Sequence, residues 1–313
     1  MVPLLLVAAA RVVAWDARPL LVGLNALTPL LFLPAWPVAV AAGLARRWVL
    51  LAGATAACLA HVALVAPELA AREPLPVLAR ETPHLRLYSA NVWRGNSQVD
   101  AQAEEIAGSR PDVAFLQEAT PEFLAGFDRT GALEELPYRV VVARTDPFAA
   151  VLASRWPLVD EDVVEVDGRP VLVRATTEAP GGPVRVYGVH VVAPVGGSRP
   201  QWLKELRAVE DAVRAERMPV LMAGDFNATW SHRAFRRLLD TGLTDAAAAR
   251  GRPLQMTWPR HWPLVPPLAR IDHVLTTDGL TVTGLRAGRG AGSGHRPLVA
   301  DVARTRMTTA QAG

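Results

Sequence analysis

Hydrophobic and polar positions divide the chain into two regimes. From Pro19 to Leu44 no charged residue occurs, and Trp48 to Val65 is a second uncharged stretch interrupted only by His61. A helix needs about 20 apolar residues to cross the hydrocarbon, so the first stretch qualifies as a span and the second reaches the minimum. Pro29, Pro34 and Pro37 predict a kinked first span. Met1 to Ala14 is also apolar but holds Arg11 and is short. It fits a clipped span, an interfacial helix or a signal-like segment. Residues 1–66 therefore read as a membrane anchor of two or three hydrophobic helices, the alternative being a helical hairpin buried in a soluble protein. Arg46 and Arg47 are the only charges between the two long stretches. A short basic loop between spans stays in the cytoplasm, which puts everything after the second span outside. Residues 67–83, with Pro67, Pro74, Pro76 and Pro83 among several charges, read as a stiff linker.

Beyond residue 84 the pattern changes to short apolar runs. Leu85–Ala90, Asp112–Leu116, Val184–Val189 and Val220–Ala223 have the length and composition of strands. Further strands are predicted at 138–142, 149–153, 163–166 and 171–175. Asp167-Gly168 and Pro180-Gly181-Gly182 mark antiparallel hairpins. Helical spacing appears over 99–109, 121–128 and 198–216, the last with Trp202, Leu206, Val209 and Val213 on one face. Strand runs interleaved with amphipathic helices predict an α/β fold of two packed sheets flanked by helices. That unit runs over 84–304, with a flexible tail at 305–313.

Composition changes this picture little. Half of the 313 residues are hydrophobic, with the excess near the N-terminus, and the net charge is only +3. Lys204 is the only lysine among 33 basic residues, so the arginine excess reflects codon bias better than a nucleic-acid footprint. The single cysteine, Cys58, excludes an intrachain disulfide and leaves the compartment open.

Polar chemistry collects at the strand tips. The first strand delivers Asn91, the second Gln117-Glu118, the third His190 and the fourth Gly224-Asp225-Phe226-Asn227. Arg270-Ile271-Asp272-His273 and Ser293-Gly294-His295-Arg296-Pro297 follow. A carboxylate at the end of a buried strand, such as Glu118, must be paired or hold a cation. Asn91 can orient a metal-bound water or a phosphate oxygen, or simply close an Asx-turn. His190 could donate to a phosphate oxygen. Asp225, an acceptor only, suits aligning or deprotonating water, and Asn227 can donate to the phosphate. Asp272 bonded to His295 would fix the tautomer and favour the imidazolium, while His273 alternates to the opposite face and reads as structural. The glycine-rich 288–292 stretch lacks the setting of a phosphate-binding loop. No nucleophilic triad is evident, and cysteine and histidine are too sparse for structural zinc.

In this order the motifs resemble the endonuclease/exonuclease/phosphatase superfamily, which includes deoxyribonuclease I and neutral sphingomyelinases. The resemblance implies a four-layer α/β sandwich, Mg2+ (or Mn2+) held by Glu118 with Asn91 in support, and catalysis by His190, Asp225, Asn227, Asp272 and His295. Two departures stand out. Trp93 occupies a position where many abasic endonucleases carry an acid, and Gly294 stands where the superfamily usually has Asp before the histidine. Both favour a single metal. The short N-terminal spans ahead of such a domain resemble membrane-bound teicoplanin-resistance proteins. The expected function is a multi-pass cell-membrane phosphohydrolase or phosphodiesterase acting outside the cytoplasm on a lipid-linked phosphate or pyrophosphate. The alternatives are a membrane-tethered nuclease, for which the loop Trp258-Pro259-Arg260-His261-Trp262 would offer stacking, and a catalytically impaired binding module.

Overall fold

The computed structural model describes residues 1–13, 15–82, 84–179, 181–260 and 265–305. His261 and Trp262 of the proposed stacking loop, and all of the expected tail except Thr305, lie outside them. The N-terminal region holds α1 (Val2–Val13), α2 (Pro19–Ala26), α3 (Thr28–Leu31), α4 (Ala35–Leu44) and α5 (Trp48–Ala70), followed by the single turn α6 (Leu78–Glu81). Among the described residues, only α5 is by itself long and apolar enough to cross a membrane. The Pro19–Leu44 stretch has the shape of a broken span or a re-entrant loop. It breaks at Leu27, where α2 and the helical segment that follows are bent by 75°. Pro29 sits at the start of α3, where its missing N–H costs nothing, so the break falls just before it. α4 and α5 pack as a hairpin through Ala35, Ala57 and Cys58, and Trp36 Nε1 donates to His61 Nδ1 at 3.0 Å.

Residues 67–83 differ from a free linker. Pro67 to Ala70 continue α5, and Glu68 is buried against Arg270. Glu73 N–H donates to Ala249 O and Arg250 donates to Glu73 O. The prolines stiffen the segment, but these bonds hold it on the domain.

The remaining chain forms two six-stranded sheets. One contains β1 (Leu85–Asn91), β2 (Val113–Gln117), β3 (Tyr138–Val142), β4 (Ala150–Ser154), β11 (Leu280–Ala287) and β12 (Leu298–Arg304) in the order β11-β12-β1-β2-β4-β3. The other contains β5 (Leu158–Val166), β6 (Arg169–Ala179), β7 (Gly182–His190), β8 (Val220–Asp225), β9 (Thr244–Asp245) and β10 (Asp272–Thr276) in the order β5-β6-β7-β8-β10-β9. Each sheet has one parallel pair at its centre, β1 with β2 and β7 with β8, flanked by antiparallel neighbours. Period-two alternation sends Val113 and Phe115 between the sheets and Ala114 and Leu116 outward, under α7 (Val99–Ser109) and α8 (Pro121–Thr130). On the far side α9 (Arg199–Ala215) and α10 (Arg233–Leu239) cover the other sheet through Trp202, Leu206, Val209 and Phe235. The two sheets and their helices make the four layers. Gly188 is required by their approach, since a Cβ there would lie 2.2 Å from the Phe115 ring.

Val22 of α2 is buried in the same outer core as Trp202 and Phe226. The N-terminal region is thus packed onto the sandwich rather than strung ahead of it.

Candidate active site

The parallel pairs explain where the polar tips meet. Strands β1 and β2 run together and end side by side with Asn91 opposite Gln117, so Glu118 emerges beside Asn91. Strands β7 and β8 likewise end with His190 opposite Asp225. Strand β10 runs the other way, so its first residue, Asp272, stands opposite Asp225. His295 precedes β12, which is antiparallel to β1, and so returns to the same edge. Asn91, Glu118, His190, Asp225, Asn227 and His295 all line one cavity of about 700 Å3. Asp272 touches it through His295.

Turn geometry aims these groups. Glu118 has φ +60°, Asn227 +45° and Trp93 +57°, left-handed values that cost a non-glycine residue about 1 kcal/mol or more. Gly224 has φ +146°, and a Cβ there would lie 1.9 Å from Val189 O. Only glycine lets β8 approach β7 this closely one residue before Asp225.

Both ends of the Asn91 amide have partners. Its Oδ1 accepts from Trp93 N–H at 3.1 Å. Its Nδ2 donates to Glu118 Oε1 at 3.0 Å and reaches Asp225 Oδ2 at 3.4 Å. The amide oxygen closes an Asx-turn and keeps a second lone pair, while the amide nitrogen bridges two carboxylates. Trp93, at the position of the missing acid, contributes that N–H while its ring is half exposed.

Asp272 and His295 form the other half. His295 Nδ1 lies 3.0 Å from Asp272 Oδ2. Its Nε2 is 3.9 Å from Asp225 Oδ2, too long for a hydrogen bond, so it keeps a free donor toward the cavity. Burial alone would lower the His295 pKa, but Asp272 and Asp225 outweigh it and raise it to about 9. Burial, reinforced by the charge of Asp272, pushes Asp225 up to about 7. His190 is held below its usual value by burial. Its ring packs on Phe148 at 5.7 Å and its Nδ1 has no partner. Asn227 Nδ2 donates to Val191 O at 2.9 Å, and its backbone N–H fixes Asp225 Oδ1 at 2.8 Å.

The donor set fits a hard divalent cation. Asp225, Asp272 and His295 place ligand atoms within 4.8 Å of one another, and Glu118 adds a carboxylate across the Asn91 bridge. Three carboxylates share one charged imidazole, and the negative charge left over is what an oxygen-seeking ion neutralises.

Residues 88–294 match the sequence model of the "Endonuclease/Exonuclease/phosphatase family". The chain belongs to that family. Its members are typically phosphoester hydrolases and usually employ divalent metal ions. No curated protein matches the chain by sequence. Among solved structures, truncated TDP2 of Caenorhabditis elegans is similar over 70% of this chain and 97% of its own, at 18% identity and a TM-score of 0.58. An endonuclease/exonuclease/phosphatase from Beutenbergia cavernae is similar over 72% and 73%, at 19% and 0.55. Sphingomyelinase C from Streptomyces griseocarneus is similar over 70% and 99%, at 18% and 0.51. At these identities the likeness is one of fold, here the family's two packed sheets between helices.

Within this family frame, the sequence motifs missed several residues at the site. Phe148 and Pro147 line the cavity from the loop before β4, and Val192 to Val195 from the loop after β7. The second loop is apolar, and the charged residues of the first, Arg144 and Asp146, pair with each other, so neither loop stood out in the sequence. The ionic cluster behind Asp272 was also missed. Arg270 Nη1 donates to Asp245 Oδ2 at 2.7 Å, and His273 bridges Asp245 at 2.8 Å and Ala228 O at 2.8 Å. These groups are buried, and Arg270 holds Asp245 far below the usual carboxylate range against the effect of burial. The strand alternation placing His273 opposite Asp272 was the available signal.

Proposed function

We propose that this protein is a membrane-anchored, metal-dependent phosphodiesterase or phosphohydrolase whose site faces away from the cytoplasm and takes a lipid-linked phosphate or pyrophosphate. The observation that carries the hydrolase reading is the arrangement around Asp225. A carboxyl with a pKa near 7 stands between the Asn91–Glu118 pair and the charged Asp272–His295 pair. A carboxylate at that pKa suits a base working near neutrality. Asp225 would take the proton of the attacking water as its oxygen bonds to phosphorus and the leaving-group oxygen departs. Asn227 and His190 would donate to the phosphate oxygens. His295, kept charged by Asp272, would face the negative charge that builds in the transition state. Glu118 would hold the divalent cation, with Asn91 setting its position. When bound, the ion supplies charge neutralisation at a phosphate oxygen.

The membrane part of the reading rests on α5, with most of its side chains exposed, and on Arg46 and Arg47 at its start. A basic loop at that end favours the cytoplasm, leaving the sandwich outside. α3 and α4 would supply a second, partial crossing. The likeness to the Streptomyces sphingomyelinase supports a lipid phosphodiester; that to a Danio rerio TDP2 in complex with a single-strand DNA product supports nucleic acid. The membrane setting favours the former. Purified full-length protein in detergent micelles should hydrolyse a nitrophenyl phosphodiester and a polyprenyl pyrophosphate in Mg2+ and lose both activities in chelator. Activity confined to single-stranded DNA would make it a tethered nuclease, and none on any of the three would make it a binding module.

A further inference from the structure

The cavity above the catalytic residues is not closed by the sandwich alone. Pro19, Val22, Gly23, Ala26 and Leu27, all in or next to α2, line it together with Glu118, His190 and His295. Facing α2 across the opening are Val192 and Val195. The floor is ionisable and the walls above it are apolar on both sides.

α2 is held there by a dedicated polar dock. His232 Nδ1 accepts from Thr229 N–H at 2.8 Å, which leaves Nε2–H to donate to Val22 O at 2.9 Å. Just before α2, Trp15 Nε1 donates to Ser231 O at 2.8 Å, and Ala234 N–H donates to Asp16 Oδ2 at 3.1 Å. Asn25 Nδ2 returns to Asp16 Oδ1 at 2.9 Å, so the helix is tied to its own lead-in. Val22 fills the outer core below. A helix fixed at both ends and from beneath is a constructed wall, and it bends by 75° into the apolar segment that leads away from the sandwich.

We propose that α2 is part of the substrate site, forming with Val192 and Val195 the channel for a hydrocarbon chain whose phosphate rests on the floor. The inference rests on the phosphodiesterase reading above and adds the place where a long alkyl or prenyl chain is held, between α2 and the 192–195 loop. The occupant follows from continuity. The cavity is polar where the phosphate reacts and apolar where the rest of the substrate must leave, and its exit runs beside a helix leading into the apolar anchor. About 700 Å3 accommodates a phosphate and the first part of a chain; the remainder would pass out along α2. Nucleic acid would instead need cations along that exit, and α2 carries none.

Gly23 gives a direct test. A Cβ built there meets nothing within 4 Å and its φ is ordinary for a helix, so a side chain can be added at this cavity-lining position without backbone strain. p-Nitrophenyl methyl phosphate and p-nitrophenyl hexadecyl phosphate share the leaving group and the reacting phosphorus. Full-length protein in detergent micelles with Mg2+ should favour the hexadecyl ester at least tenfold in kcat/KM. Gly23→Phe should reduce that preference at least tenfold, and Val195→Asp on the opposite wall should do the same. Leu20→Ala, on the exposed side of α2, should keep the wild-type ratio. A wild-type enzyme that hydrolyses both esters without preference, or a Gly23→Phe enzyme that keeps the preference, overturns the channel and leaves the hydrolase reading standing. Failure of the wild type to hydrolyse either ester overturns both.

Discussion

Glu68, in the last turn of α5, forms a buried ion pair with Arg270, two residues before Asp272. Both side chains are more than nine-tenths buried, and Arg270 also holds Asp245. Helix α5 is therefore wired to the strand that carries Asp272. Breaking one partner of a buried pair leaves an uncompensated charge and costs about 3–5 kcal/mol. Glu68→Ala should lower the thermal midpoint of the full-length protein in detergent by a matching amount. It should also reduce turnover through Asp272. A mutant with unchanged midpoint would show that Asp245 alone satisfies Arg270.

Asp272 and His295 should behave as one unit. Asp272→Asn and His295→Ala are each expected to lower kcat on the order of 10²-fold or more, with the double variant scarcely worse than the poorer single. Full additivity in kcat of the purified variants would separate their roles.

The same pair sets a pH dependence. His295, raised to about 9, stays charged through neutrality and loses its proton above that value. The activity profile should therefore fall on the alkaline side near 9. In Asp272→Asn the strongest interaction raising His295 is gone, so the residual activity should fall at lower pH. Profiles of kcat/KM from pH 6 to 10 for both proteins check this; coincident alkaline limbs would exclude His295 as their source.

Glu118→Gln removes the carboxylate across the Asn91 bridge. Metal-dependent turnover should drop at least 10²-fold while circular dichroism and the thermal midpoint stay near wild type, since Glu118 is only half-buried. Retained turnover in excess chelator, in either protein, would count against a metal at this position.

Acid should loosen the docked assembly. His190, His232 and His273 are buried and have pKa values below the ordinary 6.5. Between the folded and the unfolded values the unfolded chain binds more protons, so stability rises with pH there and is lost as pH falls below about 6.5. The thermal midpoint should decrease from pH 7.5 to pH 5. His232→Gln, which removes the titrating group beneath α2, should flatten that decrease.

Much of the sandwich is visible in the sequence because its strands are short, buried and bounded by turn residues. Leu85–Ala90, Val184–Val189 and Val220–Ala223 announce themselves by composition, and each ends at a polar residue that has no place in a core. Strands β11 and β12 are less visible, since Thr281, Thr283, Arg286, Asp301 and Arg304 dilute their apolar pattern. The order of Asn91, Glu118, His190, Asp225, Asp272 and His295 is a property of the sequence, as are the uncharged N-terminal stretches. Their convergence is a property of pairing: two parallel strand pairs and two antiparallel returns bring residues more than 200 positions apart to one edge. The bond from Trp93 N–H to Asn91 Oδ1 is the Asx-turn that the sequence left open; what local pattern cannot encode is that Asn91 Nδ2 meets Glu118 and Asp225, which arrive from other strands. Nor could it reveal that Pro19–Leu44 bends by 75° at Leu27 and lays α2 along the cavity. Hydropathy records how apolar a segment is. Whether that surface meets lipid, a core or a substrate is decided only by what packs beside it, here His232, Ser231 and the outer face of the second sheet.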